Sequence, residues 1–290
     1  MRVHLLDGTY ELFRHYFAVP KKEVDGREIG ALRGVLGSVI GMLEGGATHL
    51  AVATDHVIES FRNAMYPGYK SSAGVPQDLL DQFWPLEDAL RALGVVTWAM
   101  TDVEADDALA SGAAIAARDD RVDQVLICTP DKDVAQCVVD ELVVQFDRRK
   151  REIRDEAAVI AKFGVRPSSI PDYLGLVGDP SDGFPGVKGW GATSAAAVLA
   201  RYGHIENIPD DARAWDVQIR GRDKLAATLR DDREFANLCK DLATLRIDDE
   251  LITSVDELEW HGPGPSFSDI AATLNEPELA KRADALASRR

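Results

Sequence analysis

Residues 125–133 read VLICTPDKD: a short apolar run, a threonine and a proline, then two aspartates either side of a lysine. A run of this length, bounded by a turn-forming proline, reads as a buried strand whose carboxyl end hands Asp131 and Asp133 to the following connection. The pattern recurs upstream. Val3–Leu6 is followed by Asp7 and His49–Thr54 by Asp55, while Gly94–Ala99 and Leu142–Phe146 are two further strand-like runs. Between them, Gly30–Leu43, Pro76–Leu93 and Ala105–Ala117 carry apolar residues at three-to-four spacing, the period of a helix with one face on a core. Strand alternating with helix predicts an α/β protein: a mostly parallel sheet flanked by helices, which takes its ligands off the carboxyl ends of the strands. Three of the runs deliver aspartates there.

The chain has 290 residues, 46% of them hydrophobic, enough for one large α/β domain or a core domain with an appendage. Cys128, Cys137 and Cys239 form no C-x-x-C pair and sit among apolar neighbours, like reduced core residues of a cytoplasmic protein. The first apolar run is cut short by Asp7, and no stretch approaches the roughly 20 apolar residues of a membrane span, so neither export nor insertion is expected. The net charge of −16 argues at first sight against a nucleic-acid partner, since phosphates repel it. That objection weakens if the acids are gathered in one place and neutralised by bound cations.

Two further acidic groups fit such gathering. Glu104, Asp106 and Asp107 open the Ala105–Ala117 helix as VEADD, with Glu104 and Asp107 on one face, and Asp179 and Asp182 lie in GDPSDGFPG. Each group alone has an ordinary explanation, as a partner of a helix dipole or a turn former. Together, five acidic groups at corresponding ends of separate elements repel one another unless cations hold them, and hard oxygen donors suit magnesium or manganese.

The chain resembles the 5′ to 3′ exonuclease and flap endonuclease family, PIN-like nucleases that include phage enzymes and the N-terminal domain of bacterial DNA polymerase I. The resemblance runs from LLDGTYELFRHYF through SFRNAMYPGYK, VEADDALA and TPDKD to GDPSDGFPGVKGWGATSA and DLATLRID. It implies a nuclease core with a helical arch over 1–165, and a helix-three-turn-helix region with a helical tail over 166–290. It also implies that Asp7, Asp55, Glu104, Asp106, Asp107, Asp131, Asp133, Asp179 and Asp182 ligate two or more magnesium or manganese ions.

The same resemblance makes Lys70 catalytic along with the first seven of those acids, through charge on the transferring phosphoryl group, and has Tyr69 stack on a terminal base. Arg14 and Arg62 become substrate contacts, with Arg62 either touching the nearby backbone or fixing the arch. Gly186, Lys188, Gly189, Gly191 and Thr193 are implied to hold a duplex phosphate at a helix start, with a monovalent cation such as potassium. Two basic family positions are replaced, by Ala73 and Ala192.

The expected function is that of a free-standing, monomeric, two-metal 5′ nuclease. It would cut nicked, gapped or flapped DNA in replication and repair, with no polymerase or proofreading domain, and RNA–DNA hybrids stand as a further candidate partner whose cutting the residues leave open. Two alternatives stand beside it. A PIN-like single-stranded ribonuclease would share the acids but needs no helix-three-turn-helix, and a non-catalytic binder of branched DNA would accommodate Ala73 but predicts losses among the acids.

Smaller features carry less. Arg148–Arg151 and Arg154 read as a hairpin turn, and Arg220, Arg222 and Lys224 as a small basic patch. HGPGPS reads as a linker, Ile270–Ala287 as a helical tail, and the tryptophans mainly as core residues, with Trp190 packing beneath the glycine loop.

Overall fold

The computed structural model describes residues 1–289. Strand β1 (Arg2–Asp7) leads into helix α1 (Gly8–Ala18), the ribbon β2 (Glu23–Val24) and β3 (Arg27–Glu28), and helix α2 (Gly30–Glu44). Next come β4 (His49–Asp55), the short helices α3 (Phe61–Met65) and α4 (Gln77–Leu80), then α5 (Phe83–Ala92), β5 (Val96–Met100), α6 (Ala105–Ala116) and β6 (Gln124–Cys128). The hairpin β7 (Val143–Asp147) and β8 (Glu152–Arg154) precedes α7 (Glu156–Phe163), α8 (Ile170–Val177) and α9 (Ala192–Tyr202). Four helices close the chain: α10 (Arg222–Asp231), α11 (Arg233–Ala243), α12 (Phe267–Thr273) and α13 (Pro277–Ala287).

These elements form two compact units, each built from separate stretches: 1–58, 72–129 and 247–290 in the first, 59–71 and 130–246 in the second. In the first, four parallel strands lie in the order β5-β4-β1-β6. Every residue of β4 is buried, as expected of a central parallel strand covered on both faces by helices. The register sets Asp7 against Ala53, Leu6 against Cys128 and Asp55 against Met100, so the carboxyl ends of β1, β4 and β6 reach one edge.

The single helix expected over Pro76–Leu93 is broken into α4 and α5. Pro85 is the cause: in a continuous helix its ring would meet the carbonyl of Asp81, whereas in the first turn of α5 it is tolerated. Buried Gln82 fills the break, accepting from the Leu32 amide at 3.0 Å and donating to the Asp78 carbonyl at 2.8 Å. The expected tail likewise divides, α12 from α13, at Asn275 in a left-handed conformation. The tail and the HGPGPS segment belong to the first unit. Trp260 donates to the Leu93 carbonyl at 2.7 Å, Glu276 pairs with Lys22 and Arg33, and Arg282 with Glu44.

In the second unit β7 and β8 pair antiparallel around the basic run, whose turn is closed by the Lys150 amide on Asp147 at 3.0 Å. Its core gathers Leu174 and Leu176 of α8, Leu199 of α9, Leu229 and Leu242, with Phe184 and Trp190 from the loop between α8 and α9. Trp190 does pack beneath that loop, its ring tilted 53° to that of Trp215 and its indole N–H donating to the Leu225 carbonyl at 3.3 Å. Among the described residues no helix is long and apolar enough to cross a membrane.

Candidate metal and nucleic-acid site

Each aspartate at the end of a strand in the first unit is fixed by the start of a neighbouring helix. Asp7 caps α1, accepting from the Tyr10 amide at 2.7 Å through Oδ1, while its Oδ2 accepts the Thr129 hydroxyl at 2.8 Å. Asp55 reaches the start of α6, where its Oδ1 accepts from the Ala105 amide at 2.7 Å, and its own amide donates to Thr9 Oγ1. Asp107 folds back to accept from the Glu104 amide at 2.8 Å. Helix N-termini favour carboxylates there, and the hydrogen bonds hold these side chains in one rotamer. Asp7, Asp55, Glu104 and Asp107 are buried, with Asp106 half-buried on the adjacent face of α6.

In the second unit Asp133, Asp179 and Asp182 are buried, with one carboxylate oxygen of each within 4.8 Å of the others. The loop from Asp179 to Phe184 is closed by a pair of backbone hydrogen bonds between its ends, and the Ser181 amide donates to Asp179 Oδ1. Two lysines answer the charge: Lys132 Nζ lies 2.6 Å from Asp179 Oδ1 and Lys70 Nζ 3.0 Å from Asp182 Oδ1. Burial pulls the Lys132 pKa down, but the ion pair with Asp179 and the charges of Asp133 and Asp131 outweigh it and hold that ammonium above its ordinary value. Asp131 is exposed; the Asp133 amide donates to its carboxylate, and Gln145 donates to its carbonyl.

Three buried carboxylates this close repel one another strongly, and hard oxygen donors at that spacing fit a divalent cation. The donor set therefore suits the magnesium or manganese implied by the sequence.

Lys70 is held from both sides. Its amide donates to the Asp182 carbonyl at 2.9 Å, and its carbonyl accepts from Asn63 Nδ2. The turn that carries it abuts the Asp179 loop so closely that a Cβ on Gly183, itself at φ +86°, would lie 2.2 Å from the Gly68 carbonyl oxygen. Gly186, at φ +68°, is buried against the backbone of Gly178, 2.3 Å from where its own Cβ would stand. Lys188, Gly189, Gly191 and Thr193 are exposed at and before the start of α9, and nothing lies within 4 Å of a Cβ placed on Gly189 or Gly191. A backbone or phosphate has room to approach there.

Three placements differ from expectation. Tyr69 is only 5% exposed, its ring packed in the apolar core of the second unit, so it is not presented for stacking. Arg62 is buried and donates to the Leu242 carbonyl at 2.8 Å and the Thr244 carbonyl at 3.1 Å, which makes it a brace within the unit and withdraws it from solvent. Trp84, expected in the core, is 63% exposed because the start of α5 turns it outward. Arg14, half-buried, pairs with buried Glu11 at 2.5 Å. Residues 61–76 carry one short helix and turns where an arch was expected. Lys132, Thr129 and Thr9 were not singled out; only the position of Lys132 between two aspartates could have signalled it.

A parallel sheet whose strand ends carry fixed, buried carboxylates, with a separate unit holding further acids, defines an α/β protein with clustered acids at its strand ends. The chain belongs to the 5′-3′ exonuclease family: residues 2–164 match its N-terminal resolvase-like domain and residues 165–266 its C-terminal SAM fold. A 5′-3′ exonuclease of Buchnera aphidicola is 32% identical over 248 residues, 84% of this chain and 81% of that protein. DNA polymerase I of Mycobacterium bovis is 32% identical over 95% of this chain, which spans about a third (32%) of that longer protein. Among solved structures, zinc-bound T5 5′-exonuclease has a TM-score of 0.66 at 20% identity, over 99% of both chains. The catalytic core of Rad2 with DNA substrate has a TM-score of 0.65 at 16% identity, over 98% of this chain and 92% of that one. At these identities both show a shared fold.

Proposed function

We propose that this chain is a divalent-metal-dependent 5′ nuclease that hydrolyses phosphodiester bonds in nicked, gapped or flapped DNA by a two-metal-ion mechanism, in primer and flap removal. The observation that carries the proposal is the buried Asp133–Asp179–Asp182 group, whose three carboxylates outnumber the two lysines, Lys70 and Lys132, paired to it. Zinc-bound T5 5′-exonuclease and DNA-bound Rad2 share the fold and support divalent ions and DNA as ligands.

In this reading Asp133, Asp179 and Asp182 hold cation in the second unit, with Asp131 beside them, and Asp7, Asp55, Glu104, Asp106 and Asp107 do so in the first. Divalent ions, when bound, supply charge neutralisation at the phosphodiester and activation of water. The chain's own groups do the rest. Thr129 and the Tyr10 amide orient the Asp7 carboxylate, and the Ala105 amide orients that of Asp55. Lys70, whose Nζ lies 3.0 Å from Asp182 Oδ1, would offer a positive charge to the phosphoryl oxygens. Lys188 and the amides around Gly189 and Gly191 take a phosphate of the duplex, with a monovalent cation there, and position DNA without reading its sequence. Residues 166–290 would carry this duplex grip together with the acids Asp179 and Asp182.

The test is cleavage of a 5′-labelled flap substrate, against matched single-stranded DNA and RNA, in magnesium, in manganese and in chelator. Metal-dependent cutting near the flap junction is expected. Equal cutting of single-stranded RNA would favour the ribonuclease alternative, and binding of the flap without cutting would favour the non-catalytic one.

A further inference from the structure

The exposed Trp84 lies against the residue that follows Asp55. Its ring stacks on that of His56, with centroids 4.6 Å apart and planes 13° from parallel. His56 is held in turn by Glu87, one helical turn beyond Trp84 on α5: His56 Nδ1 donates to Glu87 Oε2 at 2.7 Å, and the Thr54 hydroxyl donates to Glu87 Oε1 at 2.8 Å. Glu87 is buried, with Arg91 3.9 Å from the same oxygen. The carboxylate thus grips β4 on either side of Asp55 and fixes the plane of the imidazole.

No core packing accounts for this arrangement. Trp84 is 63% exposed and Val57 beside His56 is 41% exposed, so a rigid aromatic surface faces water at the end of the strand that carries Asp55. Solvent-facing tryptophan is costly to hydrate, and a flat ring already fixed on one face loses little conformational freedom when a second flat group covers the other. Nucleobases are the flat groups that an acid-edged strand end in a protein of this family would meet.

We propose that the His56–Trp84 pair is a stacking platform for an unpaired base of single-stranded DNA, the displaced strand of a 5′ flap. The inference rests on the nuclease reading above and names a contact which that reading does not include. Trp84 is here a substrate-positioning residue, and its contribution appears in binding of substrates with an unpaired strand. It is absent for a nick, where no base is free.

The experiment compares steady-state cleavage of a nicked duplex and of the same duplex bearing a short 5′ flap, by the wild-type chain, Trp84→Ala and Trp84→Phe. Trp84→Ala is expected to raise KM for the flap about tenfold, the order of one lost base–aromatic stack. Its kcat, and its KM for the nick, should stay within about twofold of wild type, and Trp84→Phe should restore most of the flap affinity. Equal KM for Trp84→Ala and wild type on the flap overturns the platform while leaving the nuclease reading intact. A parallel rise on both substrates also overturns it, by assigning Trp84 a merely structural role. Failure of the wild-type chain to cut either substrate would instead overturn the nuclease reading.

Discussion

The Thr129 hydroxyl donates to Asp7 Oδ2 at 2.8 Å, joining the ends of two adjacent parallel strands through a carboxylate whose other oxygen is held by the start of α1. Asp7 therefore has its orientation set before any cation arrives. Thr129→Val keeps the shape and removes the donor, and is expected to lower metal-dependent cleavage about tenfold, the scale seen when a group behind a ligand is lost. Thr129→Ser should stay near wild type. A magnesium titration of cleavage rate checks both.

Asp133→Asn removes one charge from three buried carboxylates that repel one another. In chelator it should raise unfolding stability by about 0.5–2 kcal/mol, since functional sites commonly forgo that much. Added magnesium or manganese should then stabilise it far less than the wild type, and cleavage should be lost. Melting curves with and without metal read both effects. A variant as metal-responsive as wild type would remove Asp133 from the ligand set.

Lys70→Ala should cut kcat by about a hundredfold with little change in DNA binding, because its charge is needed most when charge develops on the phosphoryl group. Single-turnover rates beside a binding isotherm separate the two. Asp182 would lose its 3.0 Å partner, so the variant should also respond more strongly to added divalent cation.

Gly186→Ala should cost about 2 kcal/mol or more, since φ there is +68° and a methyl group would stand 2.3 Å from the Gly178 amide nitrogen. Gly189→Ala, with open space around it, meets only the penalty of its φ of +87°. Chemical denaturation should rank the two in that order.

Glu276 gives a pH dependence. Burial pushes its carboxyl up, but the hydrogen bonds and charges of Lys22 and Arg33 outweigh burial and hold its pKa below its ordinary value of 4.5. A depressed folded pKa contributes stability above pH 4.5 that disappears as the pH falls through the folded value. Glu276→Gln should therefore destabilise at pH 7 and progressively less below pH 4.5, as denaturant midpoints across that range would show.

Much of this was readable from the residues because parallel strands covered on both faces are spelled as plain apolar runs, and Asp7 and Asp55 follow two of them directly. The family was readable because several spaced motifs occur in order. Burial was not. Trp84 and Tyr69 are both large aromatics beside a proline or a turn, yet one faces water and the other a core, a difference set by which way a helix start or turn points in three dimensions. The break before α5 was legible in principle at Pro85 but hidden by apolar spacing that continues across it. The pairing of Lys132 with Asp179 links residues far apart in the chain, and no local pattern encodes it.

The turn at Gly68–Lys70 and the loop at Asp179–Phe184 are fastened by a backbone hydrogen bond, an ion pair and a glycine with no room for a methyl group. Neither segment is free to drift alone. Among descendants of this sequence, an insertion or a larger residue in one of them would have to be accompanied by a matching change in the other. Across a large set of relatives the two stretches should accordingly vary as a single heritable part, although more than a hundred positions separate them in the chain.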